Sequence, residues 1–207
     1  MKETGMPPMT TEETVERYRC RTEALYGPVL RAGGLPFPPR NLWLLAFKEE
    51  GLLEVYTESA GRYLLLHTYP FTARSGQRGP KLREGDGQIP EGIYAVEYLN
   101  PNSRFHLSFK LDYPNARDRR RAGAAGITEP GTDIFIHGGA QSTGCIAIGD
   151  AQVEELFTLV ALAGTDRVSV VIFPEDARKN GGFAPPVTGD GETAALYREL
   201  KAVLDRF

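Results

Sequence analysis

Apolar and polar residues alternate in two rhythms along this chain, and the rhythm changes where the turn residues cluster. Thr10 and Glu13 have the spacing of a reciprocal helix cap, which predicts a charged helix to about Tyr26, broken or kinked at Gly27-Pro28. Residues 1–9, with Gly5, Pro7 and Pro8, read as disordered, and Gly33, Gly34, Pro36, Pro38 and Pro39 form a stiff linker. Short strand-like runs follow at Leu42–Phe47, Leu53–Thr57 and Arg62–Thr68, separated by turns at Glu49-Glu50-Gly51 and Ser59-Ala60-Gly61. Ile93–Leu99 and Arg104–Leu111 read as two more strands, divided by Asn100-Pro101-Asn102. Ile134–His137, Cys145–Ile148 and the apolar Val168–Phe173 complete the set.

Helical spacing returns at Val153, Leu156, Phe157 and Val160, with Asp150 as the expected N-cap and Gly164 as the stop. A last helix, about Glu192–Asp205, follows Pro185-Pro186. Residues 74–92 hold five Gly and two Pro, and residues 112–132 are rich in Arg and Gly, so both are read as long loops. Loops of that length inside a compact unit are often functional. The expected fold class is mainly β with flanking helices (α+β). The expected organisation is an N-terminal helix and linker over 1–40, a central unit over 41–175, and a C-terminal extension over 176–207.

Composition adds exclusions. The 207 residues are 41% hydrophobic and 25% charged with a net charge of −3, so nothing demands nucleic acid or an anionic membrane as a partner. The one basic run, Arg117, Arg119, Arg120 and Arg121, reads as a solvated loop or as a grip on an anionic substrate group. Two cysteines far apart, Cys20 and Cys145, make neither a disulfide framework nor a CxxC pair. No apolar run approaches the ~20 residues of a membrane span. Met1–Thr10 lacks the apolar core of a signal peptide, which fits a cytoplasmic protein or a chain already matured for export.

Chemistry concentrates in His137-Gly138-Gly139-Ala140-Gln141-Ser142-Thr143-Gly144-Cys145. A thiol enzyme needs a base near its cysteine, because the thiolate attacks. Cys145 follows His137 by eight positions, a span of about 26 Å if extended. The Gly-rich loop can fold back and bring imidazole to thiol. The amides of Thr143, Gly144 and Cys145 are candidates for holding an oxyanion. The plainer alternative is a tight hairpin with an incidental cysteine. A zinc site of His67, His106, His137 and Cys145 lacks ligand spacing, so no metal is expected, and His67 and His106 read as structural. No GxSxG elbow, phosphate loop or dinucleotide fingerprint occurs, and Gly76, Gly79, Gly85 and Gly87 do not form one.

Ile136-His137-Gly138-Gly139 through Ser142-Thr143-Gly144-Cys145-Ile146 resembles the signature of the L,D-transpeptidase catalytic domain, most closely its short-loop murein hydrolase-type branch. Gly79-Pro80-Lys81 through Gly85-Asp86, Pro90–Tyr94, and Asn100–Ser103 through Tyr113–Asn115 look like the same family, over roughly residues 45–173. Thr143 stands where many members have His, Ala147 where many have Arg, and the His-to-Cys loop is short. The resemblance implies a sandwich-like β fold of mixed sheets, and a thioester at Cys145 formed with His137 as base and a carbonyl near Gly138 orienting the ring. Peptidoglycan stem peptides are the implied partners and carbapenem-type inhibitors the implied ligands, with no cofactor, a periplasmic or exported setting, and the oligomeric state open. Ser142, Thr143, Gly144 and Tyr113 are expected around the substrate, with cleft walls at Glu91–Tyr94 and Tyr113–Asn115. Arg119 or Arg74 would anchor a carboxylate. Transfer, hydrolysis of a meso-diaminopimelate-linked amide, and an inactive wall-binding module all fit the pattern.

Overall fold

The two most continuous apolar runs become the central strands of the sheet. Leu42–Phe47 (β1) and Val168–Phe173 (β8) pair in parallel, and both of their faces are buried. Leu44, Ala46, Val170 and Ile172 enter the main core, while Leu45, Phe47, Val171 and Phe173 enter a second cluster on the opposite face. Such two-sided burial explains why these strands lack polar alternation. The computed structural model describes residues 8–179, 181–184 and 191–207. The expected disorder of residues 1–7 and the boundary at Pro185-Pro186 lie outside the described residues. Met9, by contrast, is tied down, pairing its N–H and C=O with the Asn102 side chain at 2.9 and 2.8 Å.

Among the described residues, eight strands and four flanking helices make the fold α+β. The strand order is β3-β2-β1-β8-β4-β5-β6-β7, with β2 Leu52–Ser59, β3 Arg62–Pro70, β4 Gly92–Ser103, β5 His106–Leu111, β6 Phe135–His137 and β7 Ile146–Ala147. β4 joins two halves: Gly92–Ala95 pairs with β8, and Val96–Ser103 pairs with β5. Each half is mixed, since β1–β8 and β6–β7 are its parallel pairs. Both halves send side chains into the same main core, joined by Leu156, Phe157 and Val160 of α3 (Asp150–Ala163) and by Tyr26 and Leu30 of α1 (Thr11–Ala32).

Four expectations need correction. First, α1 runs through Pro28 to Ala32. Proline keeps a helical φ and costs one donor, and the fully buried Leu30 anchors the turn beyond it. Second, β4 continues through Asn100-Pro101-Asn102, and the hairpin turns at Arg104-Phe105 instead. Third, residues 112–132 are not all loop, because Asn115 and Asp118 form a reciprocal cap for helix α2 (Ala116–Ala124). Its Arg run is largely paired: Arg117 with Glu199, Arg120 with Glu192 at 3.7 Å, and buried Arg121 with Asp118 at 3.2 Å. Fourth, Gly149 caps α3, and Asp150 is its first residue.

Helix α4 (Gly191–Leu204) covers the second cluster with Leu196, Tyr197, Leu200 and Leu204. Leu200 is fully buried there. Leu200→Ala is therefore expected to lower stability by about 2–5 kcal/mol, read as a fall in the urea midpoint at unchanged slope. The loss should leave the distant active-site geometry in place.

Candidate active site

Alternation along β4, β5 and β6 sets out two rows on one face of the sheet. Cross-strand register aligns Tyr98, Lys110 and Phe135 in one row, and Asn100, Ser108 and His137 in the next. β7 pairs in parallel with β6, which brings Cys145, the residue before it, to the open end of that face. Cys145 and His137 line one cavity of about 250 Å³ with Asn100, Ser108, Phe105 and Phe135. Folding back of the Gly-rich segment thus brings the imidazole and the thiol that the sequence singles out to one cavity.

His137 is almost completely buried, and its Nδ1 lies 2.6 Å from the Gly138 carbonyl oxygen. That carbonyl can only accept, so Nδ1 carries the hydrogen and Nε2 presents a lone pair. The Phe105 ring stacks on the imidazole with centroids 4.5 Å apart. Gly138 has no room for a side chain: an added Cβ would lie 2.6 Å from both Asp150 Oδ1 and the Phe105 carbonyl. Asp150, displaced from its expected cap, instead accepts the Gly139 N–H at 2.7 Å and fixes the turn after the histidine.

Cys145 is half-buried, and its thiol donates to the Asp133 carbonyl at 3.6 Å. Asp133 holds φ = 59°, an uncommon conformation for a residue with a side chain, directly beside the thiol. Ser142 Oγ donates to the Cys145 carbonyl at 2.6 Å. The Gly144 N–H donates to Ser75 Oγ at 2.7 Å, and Ser75 Oγ also lies 3.3 Å from Ser142 Oγ. Of the three expected oxyanion amides, Gly144 is therefore engaged by Ser75, which leaves those of Thr143 and Cys145. Gly144 has φ = 98°, and the Gln88 carbonyl would sit 3.0 Å from an added Cβ. The 74–92 loop thus grips the residue before the thiol from both of its ends.

Burial favours the neutral form of both groups. Burial pushes the His137 imidazole below its ordinary 6.5, against the raising effect of the Gly138 carbonyl. Burial pushes the Cys145 thiol above 9.0, and the Asp133 charge adds to this, while the Phe135 N–H and Lys81 oppose it. Shifts in these directions oppose a resting thiolate–imidazolium pair. Peptide-resolved alkylation by iodoacetamide should accordingly keep accelerating past pH 9 at Cys145. A low-pH plateau in that rate would indicate a preformed thiolate–imidazolium pair.

Other expected site residues lie elsewhere. Tyr113 is buried; its hydroxyl donates to the Pro130 carbonyl at 2.9 Å, and with Pro114 and Arg119 it lines a separate cavity of about 490 Å³. Asn115 is spent on capping α2. Glu91 is no cleft wall: it is fully buried and paired with Lys48 at 3.0 Å, and Gly92–Tyr94 belong to β4. Arg74 donates to the Lys48 and Glu49 carbonyls beside a third cavity, where the backbone occupies its guanidinium. His67 packs edge-on against Tyr26 and Tyr69, and His106 pairs with Glu154 at 2.7 Å. Ser75, Phe105, Asp133 and Asp150 were not anticipated as site residues. Only a fold brings Ser75 to Gly144 across 69 positions.

Residues 40–172 match the model of the L,D-transpeptidase catalytic domain. The chain belongs to this family. YafK of Escherichia coli K12, named as a candidate L,D-transpeptidase, is 36% identical over 138 residues, covering 64% of this chain and 54% of YafK. The O157:H7 protein of the same name matches equally. The chain therefore spans about half the length of these curated relatives. The helical cell shape determining protein Pgp2 from Campylobacter jejuni superposes with a TM-score of 0.54 at 18% identity, over 80% of this chain and 70% of Pgp2, and shows the shared fold. Thr143 is exposed and Ala147 is buried.

Proposed function

We propose that this chain is a cysteine-dependent acyl-transfer enzyme acting on peptidoglycan stem peptides through a thioester at Cys145. What carries the reading is one observation: a thiol shares a cavity with a buried imidazole whose tautomer is set by the Gly138 carbonyl. In the reaction, His137 Nε2 takes the thiol proton as Sγ attacks an amide carbonyl at the L-centre of meso-diaminopimelate. The oxyanion rests on the Thr143 and Cys145 amides. The carbon–nitrogen bond then breaks, the proton on His137 passes to the departing amine, and the thioester remains. An amine or a water attacks it next, giving up a proton through His137 so that the thiol is restored. Burial of the base and fixed placement of the thiol supply proximity and a matched proton acceptor.

Catalysis is assigned to residues 41–175, with 1–40 and 176–207 as flanking segments. Such a substrate sets the reaction in the periplasm or at the cell surface, and carbapenems would acylate the same thiol. Transfer and hydrolysis share the first half-reaction, so products separate them. Purified protein incubated with isolated murein peptides, read by mass spectrometry, is expected to yield joined peptides when an amine acceptor is present. Trimmed peptides alone would make the chain an amidase or peptidase. Unchanged peptides would sink the enzymatic reading and leave a wall-binding module.

A further inference from the structure

We propose that the cavity between α2 and the 128–132 segment binds an α-amino-acid head group, carrying ammonium and carboxylate on one carbon, at the far end of the reacting substrate. The inference rests on the function proposed above and adds a recognition site to it. This cavity, of about 490 Å³, is lined by Arg119, Lys110, Glu84, Glu97 and Glu129 beside Tyr113. Two covalent or cross-strand links lead from this cavity toward the thiol. Segment 128–132 runs directly into Asp133, whose carbonyl accepts the Cys145 S–H. Lys110 lines this cavity, while its cross-strand partner Phe135 lines the thiol cavity.

The charges in the cavity are arranged for a ligand with both signs. Lys110 is already neutralised, by Glu97 at 3.1 Å and Asp133 at 3.5 Å. Arg119, Glu84 and Glu129 have no ion pair or side-chain hydrogen bond among the described residues. Its three neighbours in the Arg run are all paired, so Arg119 is singled out. Opposite charges that line one cavity without meeting each other can each take a ligand group of the opposite sign. A ligand with only carboxylates would face Glu84 and Glu129, and one with only ammonium groups would face Arg119.

The wall segments are also tied to one another. The Glu84 N–H donates to the Glu129 carbonyl at 2.9 Å, joining the two carboxylate-bearing segments. Glu84 Oε2 sits where a side chain on Gly131 would lie, 2.4 Å from an added Cβ, so a glycine is needed for the carboxylate to rest there. Tyr113 Oη bridges the same segments, reaching the Pro130 and Lys81 carbonyls at 2.9 and 3.4 Å.

Binding is best read in a Cys145→Ala background, where no turnover intervenes. Titration with meso-diaminopimelic acid, followed by amide NMR shifts, is expected to perturb Arg119 and residues 128–132 in a saturable way. Pimelic acid, which lacks the amines, and cadaverine, which lacks the carboxylates, should bind at least 10-fold more weakly. Arg119→Gln and Glu84→Gln should each weaken meso-diaminopimelic acid at least 5-fold, with an unchanged amide spectrum elsewhere because both side chains are exposed. Equal binding of the three probes, or shifts confined to the Cys145 cavity, would overturn the inference. Binding here without any thioester in the wild type would uphold the site and sink the proposed reaction. A thioester at Cys145 with no binding here would do the reverse.

Discussion

Cys145→Ala is expected to reduce turnover of murein peptides to background, a loss of at least about 10⁴-fold, because no other group can form the acyl intermediate. The fold should survive this change. Cys145 is only half-buried, and its thiol has weak backbone contacts, to the Asp133 carbonyl and the Phe135 N–H. Alanine removes only these weak sulfur contacts, so the effect on stability should stay within about 1 kcal/mol. An unchanged melting temperature together with lost turnover separates a chemical role from a structural one. Residual turnover above background would assign the chemistry to another residue. Cys20, exposed on α1, supplies the internal control, since Cys20→Ser should leave activity intact.

Gly138→Ala should have the second largest effect, through the histidine. An added Cβ would meet the Phe105 carbonyl and the Asp150 carboxylate at 2.6 Å each, and one of these is backbone that cannot step aside cheaply. Relief requires moving the Gly138 peptide, whose oxygen sets the His137 tautomer. It also requires moving Asp150, which pins the Gly139 N–H. We expect a fall in kcat of about 10²–10³-fold, within the range for a misplaced general base. The ring ¹⁵N spectrum of His137 should change from one tautomer to a mixture. Lost activity with an unaltered imidazole spectrum would show that Gly138 acts by some route other than orienting the ring.

Much of this architecture can be read from the chain where apolar residues report it. β1, β8 and the buried face of α3 stand out because their apolar spacing matches two-sided strands and a one-sided helix. Helix α2 does not stand out, because its buried residues are Asp118, Arg121 and Ala122, an ion pair and a methyl with no hydrophobic period. Its only signal is the Asn115–Asp118 cap, hidden inside an Arg-rich stretch. Asn100-Pro101-Asn102 looks like a turn by composition, yet β4 carries it along to Ser103. Turn chemistry is a local preference, and sheet pairing outweighs it here.

The candidate site divides along the same line. His137 and Cys145 are close in sequence and lie in an unusual run of small residues, so their pairing can be anticipated. The supports cannot be. Ser75 and Gln88 of the 74–92 loop and Asp150 of α3 reach the His137–Cys145 segment from distant parts of the chain, and nothing in their local sequence marks them for that role. Gly144 shows the cost of reading a motif without its neighbours, since the amide nominated for an oxyanion is held by Ser75. Arg119 shows the converse. The sequence offers it as a solvated arginine or a carboxylate anchor, and the fold sets it apart by pairing its three neighbours.

The central claim is a covalent acyl-enzyme at one thiol. Wild-type protein should be mixed with murein stem peptides, quenched in acid within seconds, digested and mapped by mass spectrometry. The expected result is an acyl adduct on the peptide containing Cys145, removed by hydroxylamine as a thioester would be, and absent from the peptide containing Cys20. Product formation with Cys145 unmodified at every time point, and continuing in Cys145→Ala, would contradict the account.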